Sequence, residues 1–187
     1  MSDAPRMTAE DRLPGDPDRE ETLARMIRVD QAGEYGAVRI YAGQRAFLPR
    51  GAAADAVDEM AAKEEEHLAA FDALVAERGI RPTALMPLWH VAGYALGAAT
   101  ALMGERAAMA CTEAIEEVID RHYAEQSAAL GEDEAELRAT IDEFRADEIE
   151  HRDLAVAHEA HGAPGYDLLT RAVKTGSRLA IWLSIRV

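Results

Sequence analysis

A chain of 187 residues fits one domain and is long enough to bury a core without disulfide staples. Its net charge of −15 argues against general nucleic-acid binding. Its single cysteine, Cys111, cannot form an internal bridge, and 5% aromatics with little strand-type alternation favour an all-α fold.

Residues 1–19, with Pro5, Pro14 and Pro17, read as a mobile N-terminal arm. The arm lacks the apolar run of a secretory signal and is too acidic for a mitochondrial transit peptide. A domain of residues 20–187 follows. Its first helix runs from about Glu20 to Phe47 and stops at Pro49 and Gly51. The second runs from about Ala53 to Glu77, with Gly79 and Pro82 as its stop signals. From Pro82 to Gly104 there is no charged residue, so residues 82–104 read as an apolar crossover helix, with Gly93-x-x-x-Gly97 suited to close helix contact. A fourth helix is expected from about Arg106 to Leu130 and a fifth from about Glu132 to Ala160. A tail helix, residues 166–187, follows Gly162 and Pro164. From Leu168 onward it has no acid and four bases, Arg171, Lys174, Arg178 and Arg186, so it carries +4 against −19 for the rest of the chain. A basic amphipathic helix containing a Trp, here Trp182, suits a membrane interface.

Chemistry enters through one motif written twice. Glu34 is followed by Glu64 and His67, and Glu116 is followed by Glu148 and His151. Glu-x-x-His puts both side chains on one helix face, about one turn apart, where both can reach one ion. The midpoint of 34 and 64 falls on Pro49-Arg50-Gly51, and that of 116 and 148 on Gly131-Glu132-Asp133. Both are turn-forming, so each half reads as an antiparallel helix pair whose Glu faces its Glu-x-x-His. With 35 acids in the chain, a single Glu-x-x-His would be cheap to find by chance. Two copies, each with an upstream Glu mirrored about a turn, are not. Four Glu and two His converging in a bundle core is the pattern of ferritin-like di-iron and di-manganese carboxylate proteins. The fold class is therefore a ferritin-like four-helix bundle with an apolar crossover helix and a C-terminal amphipathic helix.

Spacing separates these residues from their neighbours. Glu65 and Glu66 are rotated away from the face of His67, and Glu148 fits His151 better than Glu150 does, with Asp147 the serious competitor. Symmetry favours Glu116 over Glu113 and Glu117. Four buried carboxylates repel one another, and two divalent ions would cancel their charge. Oxygen-rich ligation with two imidazoles suits iron or manganese; zinc is an alternative, with no thiolate cluster to favour it specifically. The crossover is long enough to pass for a transmembrane segment, but half of the motif precedes it and half follows. A single crossing would split the site across the bilayer, so the segment is expected not to span. Tyr41 and Tyr123, seven residues after Glu34 and Glu116, are expected to face the interior, where a core tyrosine with a satisfied hydroxyl is the plainer reading. His158 reads as a helix-end histidine, Cys111 as a small core residue, and His90 and His161 have no evident partner.

The run Arg28-Val29-Asp30-Gln31-Ala32-Gly33-Glu34-Tyr35-Gly36-Ala37 resembles the demethoxyubiquinone hydroxylase family of ubiquinone biosynthesis. So do Arg39-Ile40-Tyr41-Ala42-Gly43-Gln44, Cys111-Thr112 with Glu116-Glu117, His122-Tyr123, Asp147-Glu148-Ile149-Glu150-His151 and Ala180-Ile181-Trp182-Leu183-Ser184. The resemblance covers about residues 20–187. It implies a membrane-bound di-iron monooxygenase that uses O2 to hydroxylate the ring of a demethoxy-ubiquinol carrying a polyprenyl tail. It further implies two Fe ions held by Glu34, Glu64, His67, Glu116, Glu148 and His151, with one Glu bridging from each half. In the family the pair matched by His122 and Tyr123 is linked to substrate or electron transfer. The expected partners are the polyprenyl quinol, O2, a membrane surface and an external electron donor such as NADH, with no nucleic acid. A homo-oligomer or a ubiquinone-biosynthesis partner protein is left open. The expected location is peripheral, on the cytoplasmic side of a bacterial cell membrane.

Two other readings make different demands. An iron-storage or ferroxidase bundle would need a hydrophilic exterior for cage assembly, which the apolar crossover and cationic tail oppose. A peripheral membrane scaffold, with its acids merely solvated, would bind no metal.

Overall fold

The computed structural model describes residues 16–187, and they form helices joined by short turns. The element order is α1 (Arg19–Phe47), α2 (Ala52–Glu77), α3 (Met86–Leu102), α4 (Glu105–Ala129), α5 (Ala135–Ala157) and α6 (Tyr166–Ser184). Single 3-10 turns lie at Glu132–Glu134 and Ala160–Gly162. The chain is all-α, as its composition and periodicity predict. Residues 1–15 of the expected N-terminal arm lie outside the described residues.

Local chemistry sets most of the helix ends. The Asp18 side chain accepts from the Glu21 backbone N–H at 2.8 Å, and Glu20 and Glu21 fill the first turn, where acids complement the helix dipole. Pro49 and Gly51 separate α1 from α2 at the expected turn. At the end of α2, Gly79 takes a φ of 62°, left-handed backbone that favours glycine. The fifth helix is shorter than expected at both ends. Its first turn, Glu132–Glu134, is 3-10, closed by the Glu134 N–H on the Gly131 carbonyl at 3.1 Å. At the other end His158 caps α5 and Glu159 turns left-handed, with φ 62°. The chain then folds back instead of running on, which brings Ala160 and Ala163 into the core.

Helices α1 and α2 form one antiparallel hairpin and α4 and α5 the other, and α2 meets α5 across the bundle. The core is divided by height. Val57, Met60, Tyr41 and Ala107 to Ala110 fill one end together with Ala155. Ile27, Phe71, Tyr123, Leu137 and Ile141 fill the other. On each of the four helices the Glu or Glu-x-x-His lies between residues of these two clusters. The polar layer is therefore sealed above and below by apolar side chains, and each cluster buries surface that helps offset the cost of desolvating the acids.

Helix α3 lies against α1 at unusually close range. A Cβ on Gly97 would collide with the Ile40 carbonyl, and one on Gly43 with the Tyr94 carbonyl. Only glycine permits that approach at both positions. Helix α6 packs on α4, and Leu96 of α3 joins Leu169 and Val173 of α6 in one apolar cluster. Trp89 of α3 donates from Nε1 to Ser184 Oγ of α6 at 3.0 Å. Among the described residues no helix is long and apolar enough to cross a membrane.

Candidate metal centre

Four helices converge on one polar layer. Helix α1 supplies Glu34, α2 Glu64 and His67, α4 Glu116, and α5 Glu148 and His151, all of them buried. These six residues form two overlapping groups, Glu34, Glu64, His67 and Glu148 in one, and Glu64, Glu116, Glu148 and His151 in the other. Within each group, one donor atom per residue lies within 4.8 Å of all the others. Glu64 and Glu148 belong to both groups, one from each half of the chain.

Both histidines turn Nδ1 inward. His67 Nδ1 lies 3.3 Å from Glu148 Oε1 and 3.6 Å from Glu34 Oε2. His151 Nδ1 lies 3.1 Å from Glu64 Oε1 and 3.4 Å from Glu148 Oε2. The inward atoms, namely both oxygens of Glu64 and Glu148, Oε2 of Glu34 and of Glu116, and the two Nδ1 atoms, are buried without a hydrogen-bond partner. Orphaned polar atoms of this kind are costly in a dry interior unless something binds them. A set of carboxylate oxygens and imidazole nitrogens converging from four sides fits metal ions, and the buried clusters can hold them.

Electrostatics agree. Burial, with the neighbouring charge of Glu148, pushes Glu64 and Glu116 well above the usual carboxylate range. Burial also acts to raise Glu148, but the close imidazoles of His151 and His67 outweigh it and hold the group down at about 2. Burial alone would lower His67, yet its contacts with Glu148 and Glu34 raise it to about 10. The centre is thus a cluster of acids short of positive charge.

A layer of partners surrounds it. The Tyr41 hydroxyl donates to Glu116 Oε1 at 2.7 Å, and the Tyr123 hydroxyl donates to Glu34 Oε1. Burial, with the nearby carboxylate, raises both phenols well above their ordinary value, so both remain neutral donors. His122 stands beside this layer and does not enter it. Its Nε2 lies 3.3 Å from Asp30 Oδ1 and 2.9 Å from Gln126 Nε2, while Gln126 also donates to Asp30 at 2.8 Å. Asp30 is buried, and burial raises its carboxyl despite His122. A cleft of ≈ 310 Å³ lined by Met26, Val29, His122, Gln126 and Ile185 opens on this side. A wider polar cleft of ≈ 760 Å³, lined by Asp18, Arg28, Arg78 and Arg81, touches none of the six residues and lies away from the chemistry.

The competing residues fall elsewhere. Glu65, Glu66 and Glu150 are exposed. Glu117 pairs with Lys174, and Glu113 accepts from Tyr166 at 2.8 Å and contacts His161 Nε2 at 2.9 Å. Asp147 is not among the six; it stands behind His67, with Oδ2 3.0 Å from Nε2. His158 ends α5, and Cys111 is fully buried in the core. His90 has a partner that the sequence did not disclose, the Tyr35 hydroxyl, 2.6 Å from its Nδ1. Asp30 and Gln126 were also missed, although each lies four residues from a singled-out neighbour, Glu34 and His122, on the same helix face.

The family model for ubiquinone biosynthesis protein COQ7 matches residues 21–184. A 3-demethoxyubiquinol 3-hydroxylase of Rhodospirillum rubrum is 60% identical over 183 residues, 97% of this chain and 86% of that protein. A human protein named NADPH-dependent 3-demethoxyubiquinone 3-hydroxylase, mitochondrial, is 48% identical over 167 residues, 87% of this chain and 77% of its own length. A Saccharomyces cerevisiae 5-demethoxyubiquinone hydroxylase, mitochondrial, is 40% identical, covering 88% of this chain and 78% of its own. With its model matched nearly end to end and its polar layer built of paired Glu and Glu-x-x-His, the chain belongs to the COQ7 family of ubiquinone biosynthesis proteins.

Proposed function

We propose that this protein is a di-iron monooxygenase that hydroxylates the ring of a demethoxy-ubiquinol with O2, one step of ubiquinone assembly. The observation that carries the reading is the pair of buried Glu/His groups sharing Glu64 and Glu148, in a chain whose relatives are named as hydroxylases of this quinol. Glu34 and His67 would hold one iron, Glu116 and His151 the other, and Glu64 and Glu148 would bridge them. Bound there, two ferrous ions supply the electrons and coordination sites needed to activate O2. Four carboxylates balance two divalent ions, so the loaded centre is neutral where the empty one is crowded with acid.

The protein's own residues do the rest. The apolar clusters on either side keep water from the centre. Tyr41 and Tyr123 fix the orientation of Glu116 and Glu34 by donating from outside the inner ring. The cleft beside His122 admits the quinol ring, with His122 on its wall, and Asp30 behind His122, to receive or return a proton. Electrons come from an external donor of the nicotinamide class; the mammalian relatives are named NADPH-dependent.

A polyprenyl quinol lives in a bilayer, and the surface suits that source. Helix α3 buries its glycines and exposes Leu88, Val91 at 65% and Leu102 at 70%. Helix α6 exposes Leu168, Leu179 and Trp182, with Arg171 and Arg178 exposed alongside. Two neighbouring helices with apolar outer faces form a patch that water does not favour. On this reading the protein docks through α3 and α6 on the cytoplasmic side of a bacterial cell membrane, which the exposed apolar groups of both helices support.

The test is a single turnover. Protein loaded with ferrous iron under anaerobic conditions is given a demethoxy-ubiquinol with a short tail, then 18O-labelled O2. Mass spectrometry should find one label in the new ring hydroxyl. Unlabelled product would refute monooxygenation.

A further inference from the structure

The two histidines of the centre are not supported alike. His67 Nε2 meets Asp147 Oδ2 at 3.0 Å, across the interface between the two halves. Asp147 is in turn 3.6 Å from Lys63 Nζ. For His151 the outward nitrogen has no hydrogen-bond partner among the described residues; the ring's contacts are made by Nδ1, to Glu64 and Glu148.

The sequence explains the difference. Asp147 lies four residues before His151, and the residue four before His67 is Lys63. In a bundle with two similar halves, residue 63 stands to His151 as residue 147 stands to His67. An ammonium has no acceptor, so Lys63 cannot receive an imidazole N–H. It turns to Asp147 and Glu66 instead. One half of the centre therefore carries a carboxylate behind its histidine, and the other half does not.

We infer that Asp147 is a positioning residue that makes the two ion positions unequal. A carboxylate on one ring nitrogen fixes the tautomer, holds the ring and makes the other nitrogen a better donor. The position served by Glu34 and His67 therefore binds its ion first and holds it more tightly, and the position served by Glu116 and His151 fills second. The lone carboxylate has a consequence for loading: at limiting iron the protein carries one ion, on the His67 side. The inference rests on the two-ion reading above.

Ferrous iron is titrated anaerobically into the metal-free full-length protein, with binding followed by calorimetry and bound metal counted after desalting. Wild type should show two steps. In Asp147→Ala the tighter step should weaken by about 10- to 100-fold, with the second changed less than about twofold, so that the steps merge. Asp147→Asn keeps an acceptor without the charge and should fall between. Deleting the imidazole by His67→Ala should abolish the tight step, and His151→Ala the weak one. Far-ultraviolet circular dichroism checks that each variant is folded. Equal weakening of both steps in Asp147→Ala, or no change in either, overturns the inference. A wild type that binds no iron, or one ion at most, overturns the two-ion reading instead.

Discussion

The hydroxyl of Tyr41 donates to Oε1 of Glu116 at 2.7 Å, reaching from the first helix hairpin into the second. Tyr123 answers it in reverse, donating to Glu34. Each tyrosine lies seven residues after the acid of its own half, yet each serves the acid of the other. The swap ties the two hairpins together through the layer that would hold the metal. In Tyr41→Phe, Glu116 loses the hydroxyl that donates to its Oε1 while remaining buried. That should cost about 1–3 kcal/mol of stability in the metal-free protein. Thermal melts of Tyr41→Phe and Tyr123→Phe, with and without iron, check this, and a loaded protein should feel less of the loss because the ion then engages the carboxylate.

Removing metal should make stability strongly dependent on pH. In the empty centre Glu64 and Glu116 stand above their ordinary value of 4.5, so their contribution is fully present below that pH and is lost as pH rises through their folded values. His67, raised to about 10, acts in the same direction: its contribution is complete below 6.5 and fades toward 10. Glu148, held down at about 2, contributes fully above 4.5 and so adds no slope near neutrality. The metal-free melting temperature should therefore fall as pH rises from about 5 to about 9. Saturation with ferrous iron should raise the melting temperature, each bound ion adding about 2.7 kcal/mol of stability at a hundredfold excess over its Kd.

Helix α3 should be dislodged by a single methyl group. Gly97→Ala places a Cβ against the Ile40 carbonyl, which belongs to helix backbone and cannot swing aside. Overpacking of this kind costs about 1–3 kcal/mol or more. Gly176→Ala, in α6, meets nothing within 4 Å and is the control, expected to be neutral or slightly stabilising. Urea denaturation of the two variants makes the comparison.

Cys111 should be inert in the folded protein. Burial pushes its thiol up to about 12, so the reactive thiolate is scarce at pH 8, and the side chain is enclosed on all sides. A maleimide should label it only in denaturant; rapid labelling of native protein would mean that α4 opens locally.

Membrane docking should depend on the outer faces of α3 and α6. Val91→Asp and Trp182→Asp remove apolar groups that are exposed in the free protein, so folding should be little affected. Each buried apolar side chain is worth about 1.5–3 kcal/mol. Flotation with anionic phosphatidylglycerol vesicles should show at least about a tenfold loss of binding for each variant. Unchanged flotation would place the contact elsewhere.

The helices and the six central residues were legible because both follow from local rules. Helix boundaries depend on Pro, Gly and capping residues near in sequence, and Asp18, Pro49 and Gly79 mark them openly. A Glu-x-x-His records its own face by spacing, and mirror placement about a turn extends that logic to a second helix. The end of α5 was misjudged for the opposite reason. Nothing local forbids helix through Ala160; the break is set by packing that draws Ala160 and Ala163 inward.

What the sequence determined by itself, then, was the set of helices and the residues that share each helix face, because periodicity is a property of one segment. Only the tertiary structure decided which groups meet across segments: Tyr41 with Glu116, Asp147 with His67, Tyr35 with His90. Those pairings depend on the rotation and height at which one helix docks on another. Such quantities are fixed by the packing of Gly43 and Gly97 on α1 and α3 and of the two apolar clusters, where side chains far apart in the chain must fill one space together.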